Sequence, residues 1–130
     1  DLVFPGFLSS GDRIILASGY DGLFKLDLKQ KRYVKFPIED EAFFLNSALQ
    51  SVRQLSSDTW ILNSYSNGAI IIDSKGNLLK RFGKQTGLPT NCILAARRSN
   101  EGKLWLGTNK GILKVDETDV MAFWPNDELI

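Results

Sequence analysis

Apolar and polar positions alternate along this chain in short bursts, and the bursts recur. Ile14-Ile15-Leu16-Ala17, Trp60-Ile61-Leu62 and Leu104-Trp105-Leu106 each follow a polar turn, at Ser9-Ser10-Gly11-Asp12, Ser56-Ser57-Asp58 and Ser99-Asn100-Glu101-Gly102. A second unit comes after each: Gly, four mostly apolar residues, then Asp. It reads Gly22-Leu23-Phe24-Lys25-Leu26-Asp27, Gly68-Ala69-Ile70-Ile71-Ile72-Asp73 and Gly111-Ile112-Leu113-Lys114-Val115-Asp116. The glycines and the aspartates are both spaced by 46 and then 43 positions, and Trp60 and Trp105 stand 45 apart. Agreement among several anchors at one period is the mark of a repeat protein.

Within each repeat the runs are short, rich in Val, Ile, Leu and aromatics, and bounded by Gly, Asn, Asp and Ser, which is strand chemistry. The pattern predicts strands at 2–8, 13–17, 23–27 and 32–36; at 49–54, 59–63, 69–73 and 77–82; and at 92–98, 103–107, 111–115 and 120–124. No stretch keeps a 3.6-residue period over a dozen positions; residues 40–49 are the best helical candidate, as one turn in a connection. Four antiparallel strands in roughly 40–50 residues make one blade of a β-propeller. The expected fold is therefore all-β, with three blades at about 1–37, 47–83 and 90–125 as part of a larger propeller. The apolar run Ala69-Ile70-Ile71-Ile72 fits a strand covered on both sides. A two-sheet sandwich with coincidental repetition is the alternative.

Three blades do not close an ordinary ring, since propellers typically use about 4–8. Either the chain is a portion of a larger propeller, or copies associate, two of them giving six blades. The end blades would otherwise expose apolar faces.

Composition narrows the chemistry. Of 130 residues, 16 are Lys or Arg and 15 are Asp or Glu, so the net charge is +1. That argues against a nucleic-acid or membrane-surface partner held by bulk charge. No apolar run has the length of a membrane span, so any membrane attachment belongs to segments outside the sequence. Asp1 opens the chain and nothing before Leu2 reads as a signal peptide, as expected of a piece of something longer. There is no histidine, which removes His-based triads and His metal ligands. The lone Cys92 is expected to be a small packed thiol. Glu39-Asp40-Glu41 lacks the spacing of a calcium loop and reads as a solvated linker. Gly83-Lys84 lacks the upstream glycine of a phosphate loop, and the basic run 29–32 reads as a solubilising turn. No cofactor or metal is expected.

Residues 86–116 carry the most specific signature. Thr86-Gly87-Leu88-Pro89-Thr90-Asn91 is followed by Gly102-Lys103-Leu104-Trp105-Leu106-Gly107-Thr108 and then by Gly111-Ile112. This resembles the two-component regulator propeller repeat, whose pattern combines Gly-Leu-Pro, Gly-x-Leu-Trp-x-Gly-Thr and a following Gly-Leu. The first two repeats resemble it mainly in spacing. Ser99 stands where the family has Asp, and Asn63 and Ala17 stand near its Gly-Thr. The resemblance implies the extracytoplasmic, periplasmic sensor half of a bacterial signalling receptor such as a hybrid histidine kinase. There the propeller, often dimeric, binds a ligand such as an oligosaccharide and signals through a membrane helix.

Each motif residue also has a structural role to fill. Trp60 and Trp105 are expected to fill the gaps between blades, and Gly22, Gly68 and Gly111 to serve turns or close strand approach. Leu88 and Pro89 fix the entry to an innermost strand, and Asp27, Asp73 and Asp116 accept backbone N–H bonds in the next turn. In a propeller, the linkers between blades and the loops between second and third strands share one face. Those loops offer Tyr20, Asp21, Tyr65, Asn67, Asn91, Asn109 and Lys110, and rings beside amides and carboxylates suit stacking and hydrogen bonding to a small molecule or sugar. One of Arg97 and Arg98 is expected to face the central channel. The functional expectation is a non-enzymatic ligand-sensing segment completed by further blades or a second copy. A protein-interaction scaffold is the alternative, and a propeller lyase or glycosidase is disfavoured by the absence of a matched carboxylate pair.

Overall fold

A computed structural model describes residues 4–10, 13–116 and 120–126. It contains three four-stranded antiparallel sheets, each with its strands in sequence order. The first blade holds β1 (Gly6–Ser10), β2 (Arg13–Ala17), β3 (Leu23–Asp27) and β4 (Arg32–Phe36). The second holds β5 (Leu49–Gln54), β6 (Thr59–Ser64), β7 (Ala69–Asp73) and β8 (Leu78–Phe82). The third holds β9 (Ile93–Arg98), β10 (Leu104–Thr108), β11 (Gly111–Val115) and β12 (Val120–Pro125). β1 packs beside β5 and β5 beside β9, so each blade's first strand is innermost and its fourth outermost. This is the propeller arrangement, and it excludes the sandwich. The helical candidate at 40–49 is a short 3-10 turn, Glu41–Phe44. The first strand runs Gly6–Ser10 rather than 2–8, so Ser9 and Ser10, expected in the following turn, extend the pairing with β2 instead, and Phe4 and Pro5 precede it. Leu2, the rest of that turn and residues 117–119 of the last expected turn lie outside the described residues.

Because side chains alternate across a strand, each sheet has two faces, and the second blade buries both. Trp60, Leu62, Ile70 and Ile72 form one core with Leu8, Ile15, Ala17 and Leu23 of the first blade. Ile61, Ala69 and Phe82 form another with Ile93, Leu104, Leu106, Leu113 and Val115 of the third. A blade burying apolar side chains on both faces draws its stability from its neighbours rather than from its own sheet.

The end blades have one free face each. On the first, Phe4 packs edge-on against Phe24 (6.3 Å between centroids) and Tyr33 (5.2 Å), and Phe7 is 70% exposed. On the third, Trp105 stacks on Trp124 (5.4 Å, 22°) beside the exposed Ile112.

Trp60 and Trp105 are not equivalent positions, contrary to their spacing. Trp60 is fully buried between blades, 5.5 Å from the Phe36 ring. Leu104 and Leu106 occupy that face in the third blade, and Trp105 alternates onto the free face.

Gly68 and Gly111 take φ of +74° and +146°, and a Cβ on either would collide with the carbonyl of Phe82 or Trp124 on the outermost strand. They let the third strand begin hard against the fourth.

Candidate functional site

The second and third strands of every blade meet in a hairpin closed by a buried hydroxyl. In the first blade the Asp21 amide donates to Ser18 Oγ (2.7 Å). In the second, Ser64 Oγ donates to the Gly68 carbonyl (3.0 Å) and accepts from the Asn67 amide (2.9 Å). In the third, Thr108 Oγ1 donates to the Gly111 carbonyl (2.8 Å) and accepts from the amides of Lys110 and Gly111 (both 3.1 Å). A short hydroxyl side chain can replace a backbone partner in a tight turn in this way. Ser18 and Ser64 were not among the expected anchors, although a Ser or Thr directly after each second-strand run was visible in the sequence.

Two interblade linkers cross the same end of the molecule. In the first, at 37–48, the three consecutive acids are not a solvated run: each holds a different group. Glu39 Oε1 accepts from the Leu78 amide (2.7 Å). Asp40, only 9% exposed, pairs with Arg81 Nη1 (2.5 Å). Glu41 accepts from the Ile38 amide (3.0 Å) and pairs with Lys35 Nζ (3.1 Å). Adjacent acids point in different directions, and here that divergence staples the linker to β4 and β8.

The second linker, 83–91, turns through Gly87 at φ +99°. Leu88 is buried in the core shared by the second and third blades, and its amide donates back to the Gly83 carbonyl (3.0 Å). Cys92, just beyond, is a buried free thiol.

Side-chain amides tie linkers to hairpins. Asn67 Nδ2 donates to the carbonyls of Phe43 and Leu45 (both 2.8 Å). Asn91 Oδ1 accepts from the Lys84 amide (2.8 Å) and its carbonyl from the Gly68 amide (2.7 Å). Asn109 Oδ1 accepts from Thr90 Oγ1 (2.8 Å). The hairpin tips and linkers thus form one connected loop face.

A cleft of about 230 Å³ opens on that face above the second blade, lined by Asp40, Ser66, Asn67, Arg81, Gln85, Thr86 and Asn91, with Phe43 at its wall. Of the residues singled out from sequence, it brings together Asn67 and Asn91, with Tyr65, 57% exposed, next to Ser66. Tyr20 and Asp21 lie on the first blade's hairpin and Asn109 and Lys110 on the third's, all exposed and outside the cleft. Arg97 pairs with Trp105 and so shares the third blade's free face; Arg98 pairs with Leu104 and turns toward the second blade. Neither is set apart as a channel residue, because an innermost strand also directs its side chains to the two faces of its sheet. Asp40, Arg81, Ser66 and Gln85 were missed, since pairing across 41 positions leaves no local sequence signal.

The cleft's one ion pair is internally compensated, and its remaining polar groups are amides and hydroxyls. Such a lining hydrogen-bonds a neutral polar molecule at little electrostatic cost. Among the described residues, no group of three His, Cys, Asp or Glu side chains could hold a metal ion, and no helix is long and apolar enough to cross a membrane.

The family model for the two component regulator propeller matches residues 87–110, the second linker through the third blade's hairpin. Among curated proteins, none matches this sequence. The fold resembles the extracellular domain of BT3049 from B. thetaiotaomicron, assigned to a hybrid two component system, at a TM-score of 0.73 and 21% identity over 99% of this chain and 18% of that one. It also resembles the extracellular domain of BT4673 from the same organism, assigned to a one component system, at 0.74 and 16% identity over 98% of this chain and 19% of that one. The chain spans about a fifth of the length of these structures. Residues 87–110 thus match the two component regulator propeller repeat, within a run of three blades of the same build.

Proposed function

We propose that this chain is a non-catalytic, ligand-sensing segment of the extracytoplasmic propeller of a bacterial two-component-type receptor, placed in the periplasm. The observation that carries this reading is the family match on residues 87–110, which takes in the second half of the linker beside the loop-face cleft and, within the cleft, Asn91. The shared blade fold of two extracellular receptor domains supports it. The ligand is a small neutral polar molecule of the oligosaccharide kind, bound by the amides and hydroxyls of the cleft with Tyr65 at its rim. Both linkers border the cleft, so an occupant touches the segments that join consecutive blades. A ligand with different affinities for two blade arrangements shifts the balance between them, and the receptor transmits that shift. Further blades of the same receptor, or a second copy, cover the apolar end faces.

The test is calorimetry of the chain against a panel of neutral oligosaccharides, repeated with Ser66→Trp, which fills the cleft from an exposed loop position. Binding by the unmodified chain that Ser66→Trp abolishes is the expected result. Binding that survives the substitution, or no binding across the panel, overturns the reading.

A further inference from the structure

A second, larger recess lies at the opposite end of the blades from the loop face. It is a groove of about 660 Å³ between the second and third blades. Its floor is apolar, formed by Ile71, Phe82 and Leu104. Its wall is the outermost strand of the second blade, where a bulge between Ile71 and Ile72 breaks the pairing of β7 with β8. The register goes from Lys80 to Leu78, so Leu79 is the extra residue, thrown outward and left 53% exposed beside the groove. Bulges of this kind re-aim side chains at sheet edges.

Three cations line the groove: Lys80, Arg98 and Lys103. Lys80 Nζ sits 5.7 Å from the Phe82 ring centroid, and Arg98 donates to the Gly102 carbonyl (3.3 Å). Among the described residues, neither of the two ion pairs involves any of them. Asp116 also lines the groove and has interactions of its own. The contrast with the loop-face cleft is one of charge: there one arginine is matched by Asp40, whereas here three positive groups and one carboxylate, Asp116, line an apolar floor. An excess of positive charge lining a recess draws in an anion.

We propose that this interblade groove is a binding site for a small organic anion with an apolar body, such as a sulfonate or carboxylate carrying an aromatic or alkyl group. The head group is held by Arg98 and Lys103, and the body lies on Leu79, Phe82 and Leu104. The volume is that of a site for a molecule of modest size. The site is independent of the loop-face reading.

The test uses the whole chain and three probes: naphthalene-1-sulfonate, inorganic sulfate and 1-naphthol. Backbone amide shifts locate binding, and calorimetry measures it. The sulfonate is expected to bind with its largest shifts at Leu79, Lys80, Gly102 and Lys103. It should bind about tenfold more tightly than either half-probe, and the double variant R98Q/K103Q should weaken it about tenfold, as loss of charge-assisted contacts does. The variant's unfolding transition serves as the control for folding. Shifts centred on Ile112 and Trp124 of the free face overturn the proposal. So do equal affinities for naphthol and sulfonate, or binding unchanged in the double variant.

Discussion

Trp60 and Trp105 occupy opposite faces of their sheets. Trp60 lies between two blades, while Trp105 lies on a face that no described blade covers. The cause is one residue. The second blade's hairpin runs from Ser64 to Gly68 and the third's from Thr108 to Gly111, so the offset between the two blades falls by one across the turn. Ile70 and Leu113 stay equivalent, but Trp60 aligns with Leu104, and Trp105 aligns with Ile61. A one-residue change in strand position moves a side chain to the other face.

The two substitutions should therefore differ. Trp60→Ala removes a fully buried ring and should destabilise the chain by about 3–5 kcal/mol. Trp105→Ala should cost about 1 kcal/mol. Urea denaturation of both variants measures the difference, and equal losses would contradict the assignment of faces.

The glycines divide in the same manner. Gly68 and Gly102 both have positive φ, but only at Gly68 would a Cβ meet backbone atoms. Gly102→Ala should cost about 1–2 kcal/mol, the penalty of a left-handed alanine. Gly68→Ala should cost more, because the Phe82 carbonyl must move as well. Thermal unfolding of the pair separates strain from collision.

Asp73 receives the amides of Lys75 and Asn77 (both 2.9 Å) and the Asn77 side-chain amide (3.0 Å). The Asn77 bonds, side chain first, hold its carboxyl below the ordinary 3.8. A carboxylate with a depressed folded pKa adds stability that is present above the unfolded value and is lost as pH falls through the folded one. NMR titration should place the Asp73 midpoint below that of an unstructured aspartate, and Asn77→Ala should move it upward. An unchanged midpoint would show that the side-chain amide is not the cause.

Two ion pairs anchor the first linker, and they should not weigh alike. Lys35–Glu41 is exposed on both sides, at 43% and 45%, and Lys35→Ala should cost about 0.2–1 kcal/mol. Arg81→Ala leaves Asp40, at 9% exposure, without its cation and should cost about 1–3 kcal/mol. Raising the salt concentration should shrink the first effect more than the second.

Much of the architecture was legible because the punctuation was strong. Gly22, Gly68 and Gly111 open the third strands and Asp27, Asp73 and Asp116 close or follow them, so strand limits read from these anchors fall within a few residues of those observed. The loop face followed from blade geometry, and Asn67 and Asn91 do reach its cleft. What sequence could not show were relationships between distant side chains. Glu39, Asp40 and Glu41 looked like a solvated run because their partners, Leu78, Arg81 and Lys35, come from other strands. The tryptophan spacing misled because two hairpins differ by a residue, a difference invisible to an approximate period.

Ser18, Ser64 and Thr108 give each hairpin its own internal clasp, which leaves the outermost tip side chains, Tyr20, Tyr65 and Lys110 among them, outside the packed interior. Sequence drift at those tips is therefore insulated from folding. An array built this way can acquire new surface chemistry one leaf at a time while every leaf keeps the same frame.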